Sequence, residues 1–256
     1  MRGLLALLRI ARLLVHLLYG VAVMALRFPT LDAAGRQARI GAWSRGVLQA
    51  LGVGLRSSGT PRPGATLLLA NHVSWLDSAA LHAVVPQARF VSKADVLAWP
   101  LLGWLIRGAG TLFIERERKR DALRVVHAVA AALRAGQTVA VFPEGTTGPG
   151  PQPLPFHANL LQAAVATATP VQLAVLRFAD AQQRFSTAAQ YIGDTTLPQS
   201  LWAIACARGL TVQVDLLAPQ ETAQADRRAL AGQLRDQVAQ HLARASASAS
   251  APASAP

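Results

Sequence analysis

Apolar residues gather in six short runs, at residues 65–70, 89–92, 110–114, 138–142, 170–177 and 211–217. Short unbroken runs are the pattern of strands buried on both faces of a parallel sheet. Between most of them the spacing lengthens to that of a helix, over residues 75–84, 95–107, 119–135, 157–168 and 220–244. The stretch 119–135 marks its own ends, with Asp121 in its first turn and Gly136 just past its last. The alternation predicts an α/β fold, a largely parallel sheet flanked by helices.

Two helices are expected ahead of this alternation. Residues 1–28 are the most apolar part of the chain. At 100° per residue, Arg2, Arg9, Arg12, His16 and Arg27 fall within an arc of about 80°. The uninterrupted apolar part, residues 13–26, spans about 21 Å as a helix, against a hydrocarbon core of roughly 30 Å. Arg9 and Arg12 at mid-bilayer would each cost roughly 3 kcal/mol. The pattern therefore predicts an amphipathic helix in the membrane interface with its basic stripe towards lipid phosphates. A tilted span with snorkelling arginines is the alternative. A signal peptide is disfavoured, because nothing like an Ala-x-Ala cleavage site follows. After Phe28-Pro29-Thr30, residues 32–51 carry Ile40, Trp43, Val47 and Leu51 on one helical face, with Arg39 and Arg45 off it. Trp43 beside arginines suits a membrane interface or an ordinary packing surface. Residues 52–64, rich in Gly, Ser and Pro, close this appendage. The organisation expected is membrane-associating helices at 1–60, a catalytic domain at 61–245 and a disordered Ala/Ser/Pro tail at 246–256.

Composition sharpens the membrane reading. The chain is 52% hydrophobic with a mean hydropathy of +0.30. Its net charge is +12, and all but two of its 25 basic residues, Lys93 and Lys119, are arginine. Such a surface attracts anions, whether lipid head groups, nucleic acid or phosphate substrates. Few aromatics and no binding module argue against nucleic acid. The single cysteine, Cys206, excludes an internal disulfide, and no His/Cys group has metal-ligand spacing.

The candidate chemistry starts at Asn71-His72-Val73-Ser74-Trp75-Leu76-Asp77, where the run 65–70 hands over to the helix at 75–84. Open α/β sheets place ligands at this edge. On a regular helix His72 and Asp77 would lie roughly 140° apart and could not meet. They meet only if His72 occupies the turn and Asp77 folds back from the first helical turn. Its carboxylate then accepts from Nδ1–H and frees Nε2 as a general base. The bland alternative is a helix-start Asn beside a satisfied surface His. Two further runs end in polar residues: Gly110-Thr111-Leu112-Phe113-Ile114-Glu115-Arg116 delivers Arg116, and Val139-Ala140-Val141-Phe142-Pro143-Glu144-Gly145-Thr146 delivers Glu144. Ends of parallel strands share a rim, so convergence is geometrically cheap.

In this order the blocks resemble the glycerolipid acyltransferase family, the 1-acylglycerol-3-phosphate acyltransferases. The resemblance covers residues 65–176 and rests on Asn71-His72-x-x-x-x-Asp77, Phe113-Ile114-x-Arg116, Phe142-Pro143-Glu144-Gly145-Thr146 and the apolar Thr169-Pro170-Val171. It implies a membrane-bound enzyme in phospholipid biosynthesis, at the cytoplasmic face of the bacterial inner membrane. The reaction implied moves an acyl group from acyl-carrier protein or acyl-CoA to a lysophospholipid hydroxyl, with no further cofactor and no metal. His72 would be the base and Asp77 its orienting partner. Arg116 with Lys93 would hold a phosphate. Glu144, with Gly145 and Thr146, would bind the acceptor head group or brace the loop. The oxyanion is expected to find backbone N–H donors near the start of the 75–84 helix. Where the family usually has Arg, this chain has Thr147, and His157 stands where a Lys-x-Gly segment is common. His157 reads as a helix-start residue. The lost cation opens the alternative of a phosphate-free acceptor such as a lyso-ornithine lipid. No Gly-x-Ser-x-Gly elbow is present, which favours direct transfer over a serine acyl-enzyme. Ser74 reads as a helix-start hydroxyl, and the apolar stretch Trp99, Leu101, Leu102, Trp104 and Leu105 as core or acyl wall. A non-catalytic lipid-binding module and a hydrolase using His72 and Asp77 are the rival classes.

Overall fold

The computed structural model describes residues 2–93, 102–108, 110–114 and 119–247. Helices α1 (Arg2–Leu26) and α2 (Ala33–Ala50) lead the chain. Asp32 caps α2 by accepting from the Gly35 N–H at 2.8 Å. Strands β1 (Gly54–Ser58), β2 (Thr66–Ala70), β3 (Arg89–Lys93), β4 (Leu112–Ile114), β5 (Thr138–Val141), β6 (Val171–Ala179) and β7 (Thr211–Leu216) form one sheet in the order β1-β7-β6-β2-β5-β3-β4. Pairing is parallel throughout except between β6 and β7. Its middle strands read as their sequences require: β2 is Thr-Leu-Leu-Leu-Ala, buried at every position.

Helices cover both faces. On one, α2, α3 (Asp77–Val84) and α7 (Leu197–Cys206) enclose a core that includes Leu48, Leu76, Leu81, Leu176, Phe178 and Ile204. On the other, α5 (Lys119–Arg134), α6 (Leu161–Ala166) and α8 (Arg227–Ala247) pack over Leu67, Leu69, Val139, Val141, Leu173 and Val175. Successive strand residues alternate between the two cores, as the pleat dictates. Strands β2, β3, β4, β5 and β6 run in one direction, so their C-terminal ends form one rim.

Two elements have no counterpart among the expected ones. Residues 54–58, expected as loop, form β1, an edge strand built by backbone pairing to β7 with hardly a buried side chain. Residues 197–206 form α7. Its signal was present, since Thr196 and Gln199 make a capping box with Pro198 in the first turn. The helix expected from 220 starts at Arg227, because the preceding residues serve the sheet. Gln220 bridges to Val171, and the buried Thr222 hydroxyl faces the carbonyls of Ala164 and Thr169. Of the helix expected at 95–107, only α4 (Leu102–Gly108) falls within the described residues. The tail beyond Ala247 lies outside them.

The expected orientation of α1 is corrected in part, since Arg2, Arg12 and Arg27 stay exposed. Two members of its basic stripe face the protein, not lipid. Arg9 Nη1 donates to the carbonyls of Ala205 and Ala207 at 2.8 and 2.7 Å, capping the C-terminal end of α7. His16 Nε2 donates to the Trp43 carbonyl at 2.8 Å, and its ring stacks on the Trp43 indole at 5.7 Å between centroids. Trp43 is thus a packing residue between α1 and α2, lying where a side chain on Gly20 would be. The outward face of α1 is apolar: Leu4, Val15, Leu18 and Leu26 are 76%, 67%, 60% and 75% exposed.

Candidate functional site

The site forms where β2 ends. Asn71, fully buried, continues the ladder with its side chain: Nδ2 donates to the Leu176 carbonyl at 2.9 Å and Oδ1 accepts from the Leu176 N–H at 2.8 Å. The amide replaces backbone pairing that β2 can no longer supply, so the chain can leave the sheet without orphaning β6. His72 and Asp77 meet in the one arrangement the spacing allows, His72 in the turn and Asp77 folded back from the first helical turn. Nδ1–H of His72 donates to Asp77 Oδ2 at 2.8 Å. The same oxygen accepts from the backbone N–H groups of Val73 and Ser74 at 2.7 and 2.9 Å. Asp77 is completely buried, and Oδ1 has no partner. A carboxylate bound this way fixes the imidazole tautomer and places negative charge where an imidazolium would form. The His72 side chain stays 20% exposed, and Nε2 has no protein partner among the described residues. Its ring lies flat on Phe142, with centroids 3.9 Å apart and planes 12° apart.

Glu144 resolves one of the open assignments. Its Oε1 accepts from the His72 N–H at 2.8 Å and its Oε2 from the Leu154 N–H at 2.9 Å. Both oxygens face backbone, so this side chain braces two loops and does not present itself to an acceptor. Burial pushes its carboxyl above the ordinary value, while the two N–H donors oppose the shift. The Gly148 N–H grips the His72 carbonyl at 2.7 Å. The turn after β5 therefore holds the His72 backbone at both ends. Gly145 makes this turn with a φ of +71°, where a side chain would be strained. Gly145 and Thr146 are exposed at its tip.

The expectation of oxyanion donors at the helix start narrows. The N–H groups of His72, Val73, Ser74, Leu76 and Asp77 all have acceptors. Among the described residues those of Trp75, Ser78 and Ala79 have none. Ser74 Oγ, buried, accepts from the Leu76 N–H at 3.4 Å, a helix-start hydroxyl as expected.

Lys93 ends β3 on the same rim, its backbone in register with Ile114. Arg116 lies outside the described residues, as do Trp99 and Leu101. Of the apolar stretch around them, Leu105 is buried and Trp104 exposed. His157 is not at the start of α6. It stands ahead of it, its N–H bound to the Pro143 carbonyl at 2.8 Å and its ring against Gly145.

Residues 185–192 add a wall that the sequence reading did not anticipate. The Tyr191 N–H donates to the Val73 carbonyl at 3.1 Å, and Gln190 Nε2 donates to the Pro149 carbonyl at 2.7 Å. Thr147 Oγ1 donates to the Tyr191 carbonyl. Where a cation was missed, the side chain is a latch between this strap and the turn after β5. Trp75 Nε1 donates to Ser200 Oγ at 3.1 Å and ties the same loop to α7.

Comparison with known proteins agrees with this geometry. Residues 56–176 match the Acyltransferase family. The chain is 38% identical over 198 residues to a 1-acyl-sn-glycerol-3-phosphate acyltransferase of Neisseria meningitidis, covering 76% of each protein. It is 35% identical over 243 residues to a lyso-ornithine lipid O-acyltransferase of Pseudomonas aeruginosa, covering 91% of each. Its fold matches the crystal structure of the Thermotoga maritima 1-acyl-sn-glycerophosphate acyltransferase with a TM-score of 0.73 at 19% identity, over 96% of this chain and 98% of that one.

Proposed function

The chain belongs to the acyltransferase family, and from that premise we propose that it moves a fatty acyl group from a thioester to the free hydroxyl of a lysophospholipid, in first place 1-acyl-sn-glycerol-3-phosphate. The observation that carries this is the His72–Asp77 contact with Nε2 left open. Nε2 takes the hydroxyl proton as the oxygen attacks the thioester carbonyl. The Trp75 N–H, a donor at this turn without an acceptor, stabilises the oxyanion. On collapse the C–S bond breaks, and Nε2–H returns its proton to the departing sulfur. Acyl-carrier protein or coenzyme A carries the donor, and no metal or further cofactor enters. Lys93, whose backbone ends β3, and Arg116 bind the acceptor phosphate. Gly145 and Thr146 form the exposed tip beside it.

A second acceptor class is favoured by one observation: the Thr147 side chain is latched to Tyr191, so this loop offers no guanidinium. A phosphate-free lysolipid such as a lyso-ornithine lipid fits that loop. The test is kcat/KM for lysophosphatidic acid and for a lyso-ornithine lipid, on wild type and Thr147→Arg. Gaining one charge-assisted contact corresponds to roughly ten- to a hundredfold. Because Thr147→Arg also releases the strap, the informative quantity is the ratio of the two acceptors, with Thr147→Val reporting release alone. A ratio that moves towards lysophosphatidic acid in the arginine variant only is the expected result. Wild-type preference for the lyso-ornithine lipid makes it the acceptor in place of ours.

The outward face of α1 supports membrane seating. The helix packs on the protein along its length, from Arg9 at α7 to Met24 against Gly108 of α4. Crossing the bilayer would break those contacts, so α1 lies with Leu4, Val15 and Leu18 in the acyl boundary. A basic surface suits the anionic cytoplasmic leaflet, where we place the enzyme. Deleting residues 1–28 would strip Ala6 and Leu13 from buried positions, so surface substitutions are the cleaner test. Val15→Asp with Leu18→Asp is expected to cut sedimentation with anionic vesicles at least tenfold at unchanged Tm. Retention through carbonate extraction would establish a span instead.

A further inference from the structure

Strand β6 is buried without interruption from Val171 to Leu176, and then carries a partly exposed arginine, Arg177. This end of β6 lies on the rim that holds the His72 turn. Arg177 lines a narrow crevice with Val73, Pro149, Gly150, Phe185 and Ser186. Val73 directly follows His72. Pro149 and Gly150 directly follow Gly148, whose N–H holds the His72 carbonyl. The crevice therefore opens next to the catalytic turn, with the strap 185–192 as its far wall.

Among the described residues the guanidinium there is barely used. Nη1 donates to the Arg184 carbonyl at 3.3 Å. Among the described residues the ion pairs join His72 to Asp77, Arg235 to Asp236 and His241 to Asp215, and none involves Arg177. Asp180, the nearest acid along the chain, faces its own loop through Ser186 Oγ and the N–H groups of Gln182 and Gln183. An arginine carries five N–H donors in a planar fork shaped for bidentate oxyanion binding. A cation with most of its donors free, beside a catalytic turn whose own loop lacks one, has the chemistry of a phosphate site.

We propose that Arg177 binds a substrate phosphate at the mouth of this crevice. The crevice is too narrow to admit the group to its floor, so contact is made at the rim. The inference rests on the acyltransferase reading of His72. Two substrates bring a phosphate to this rim: the acceptor with its phosphomonoester, and the donor through the phosphates of its carrier.

Steady-state kinetics on Arg177→Ala, Arg177→Lys and wild type separate these sources. Acceptors are lysophosphatidic acid and monoacylglycerol, and donors are acyl-CoA and acyl-pantetheine, which lacks phosphate. An acceptor site predicts a loss in kcat/KM of about ten- to a hundredfold for lysophosphatidic acid alone, largely in KM, and partly restored by lysine. A donor site predicts the same loss for acyl-CoA alone. Either result upholds the site. Equal losses with all four substrates, or no loss with any, overturn it and leave Arg177 as a loop tether. A turnover-free arm keeps the inference separate from the catalytic reading: glycerol 3-phosphate for an acceptor site, or coenzyme A for a donor site, should raise the Tm of wild type and of His72→Ala, and not that of Arg177→Ala. If His72→Ala retains full activity, the catalytic assignment fails while this arm still decides the phosphate site. With both ligands, an equal Tm rise in all three proteins, or none in any, overturns it.

Discussion

His72→Ala is expected to lower kcat by about 10² to 10⁴, the contribution usual for a positioned general base. A lipid hydroxyl does not attack a thioester at useful rates with its proton in place, so removing Nε2 removes the group that accepts it. The backbone around residue 72 should survive the change. Its N–H is held by Glu144 and its carbonyl by Gly148, and neither contact involves the ring. What is lost besides the base is the stack on Phe142, an aromatic contact typically of about 0.5–1.5 kcal/mol, and the Nδ1–H donor to the buried Asp77 carboxylate, a charge-assisted bond of about 1.5–3 kcal/mol. A lowered but still cooperative melt, together with a collapsed kcat, is the expected pair of results. Acyl transfer within a few-fold of wild type would sink the mechanism.

The sheet was legible where burial on both faces forces a residue type. Each of the six apolar runs became a strand: β2 and β5 are buried at every position, as their near-continuous apolar sequences require, while β7, Thr-Val-Gln-Val-Asp-Leu, alternates buried and half-buried positions. β1 escaped for the converse reason. Its side chains are largely exposed, its partners are backbone groups, and Gly-Leu-Arg-Ser-Ser carries no periodicity to read. The helix α7 is a different kind of miss, since Thr196 and Gln199 announce it and only the absence of a long apolar face hid it.

The site divides along the same line. From spacing, His72 could meet Asp77 only across the strand-to-helix turn, and the structure takes that arrangement over the surface-histidine alternative. The destinations of Glu144 and Thr147 did not. Both are polar side chains whose partners, the N–H groups of His72 and Leu154 and the carbonyl of Tyr191, belong to backbone far along the chain. Sequence gives the donor or acceptor type of a side chain and nothing about distant backbone groups left unpaired nearby. Arg9 shows the same limit on α1. A helical wheel collects its basic residues into a stripe, yet cannot tell that the carbonyls ending α7 claim part of it.

The second large effect is expected at Asp77, and the structure changes its cause. From spacing alone, Asp77→Asn would fail by presenting an amide nitrogen to Nδ1 and enforcing the wrong tautomer. In the folded protein the oxygen that meets Nδ1 also accepts from the Val73 and Ser74 N–H groups. Turning an NH₂ towards three donors leaves all of them unpaired, so the asparagine oxygen takes that place. The ring then keeps its Nδ1–H, which nitrogen-15 spectra of the imidazole will show. The amide nitrogen falls where Oδ1 lies, buried without a partner, and its orphaned hydrogens should cost about 1–3 kcal/mol of stability. Activity falls because the buried negative charge facing the forming imidazolium is gone. A drop in kcat of about 10² to 10⁴ is expected. KM should stay near wild type, since Asp77 is buried beneath the turn and its contacts are all within the protein. A Tm loss accompanied by unaltered kcat would reduce Asp77 to a structural cap of the turn. A kcat loss with the Nε2–H tautomer in the spectrum would restore the explanation from spacing.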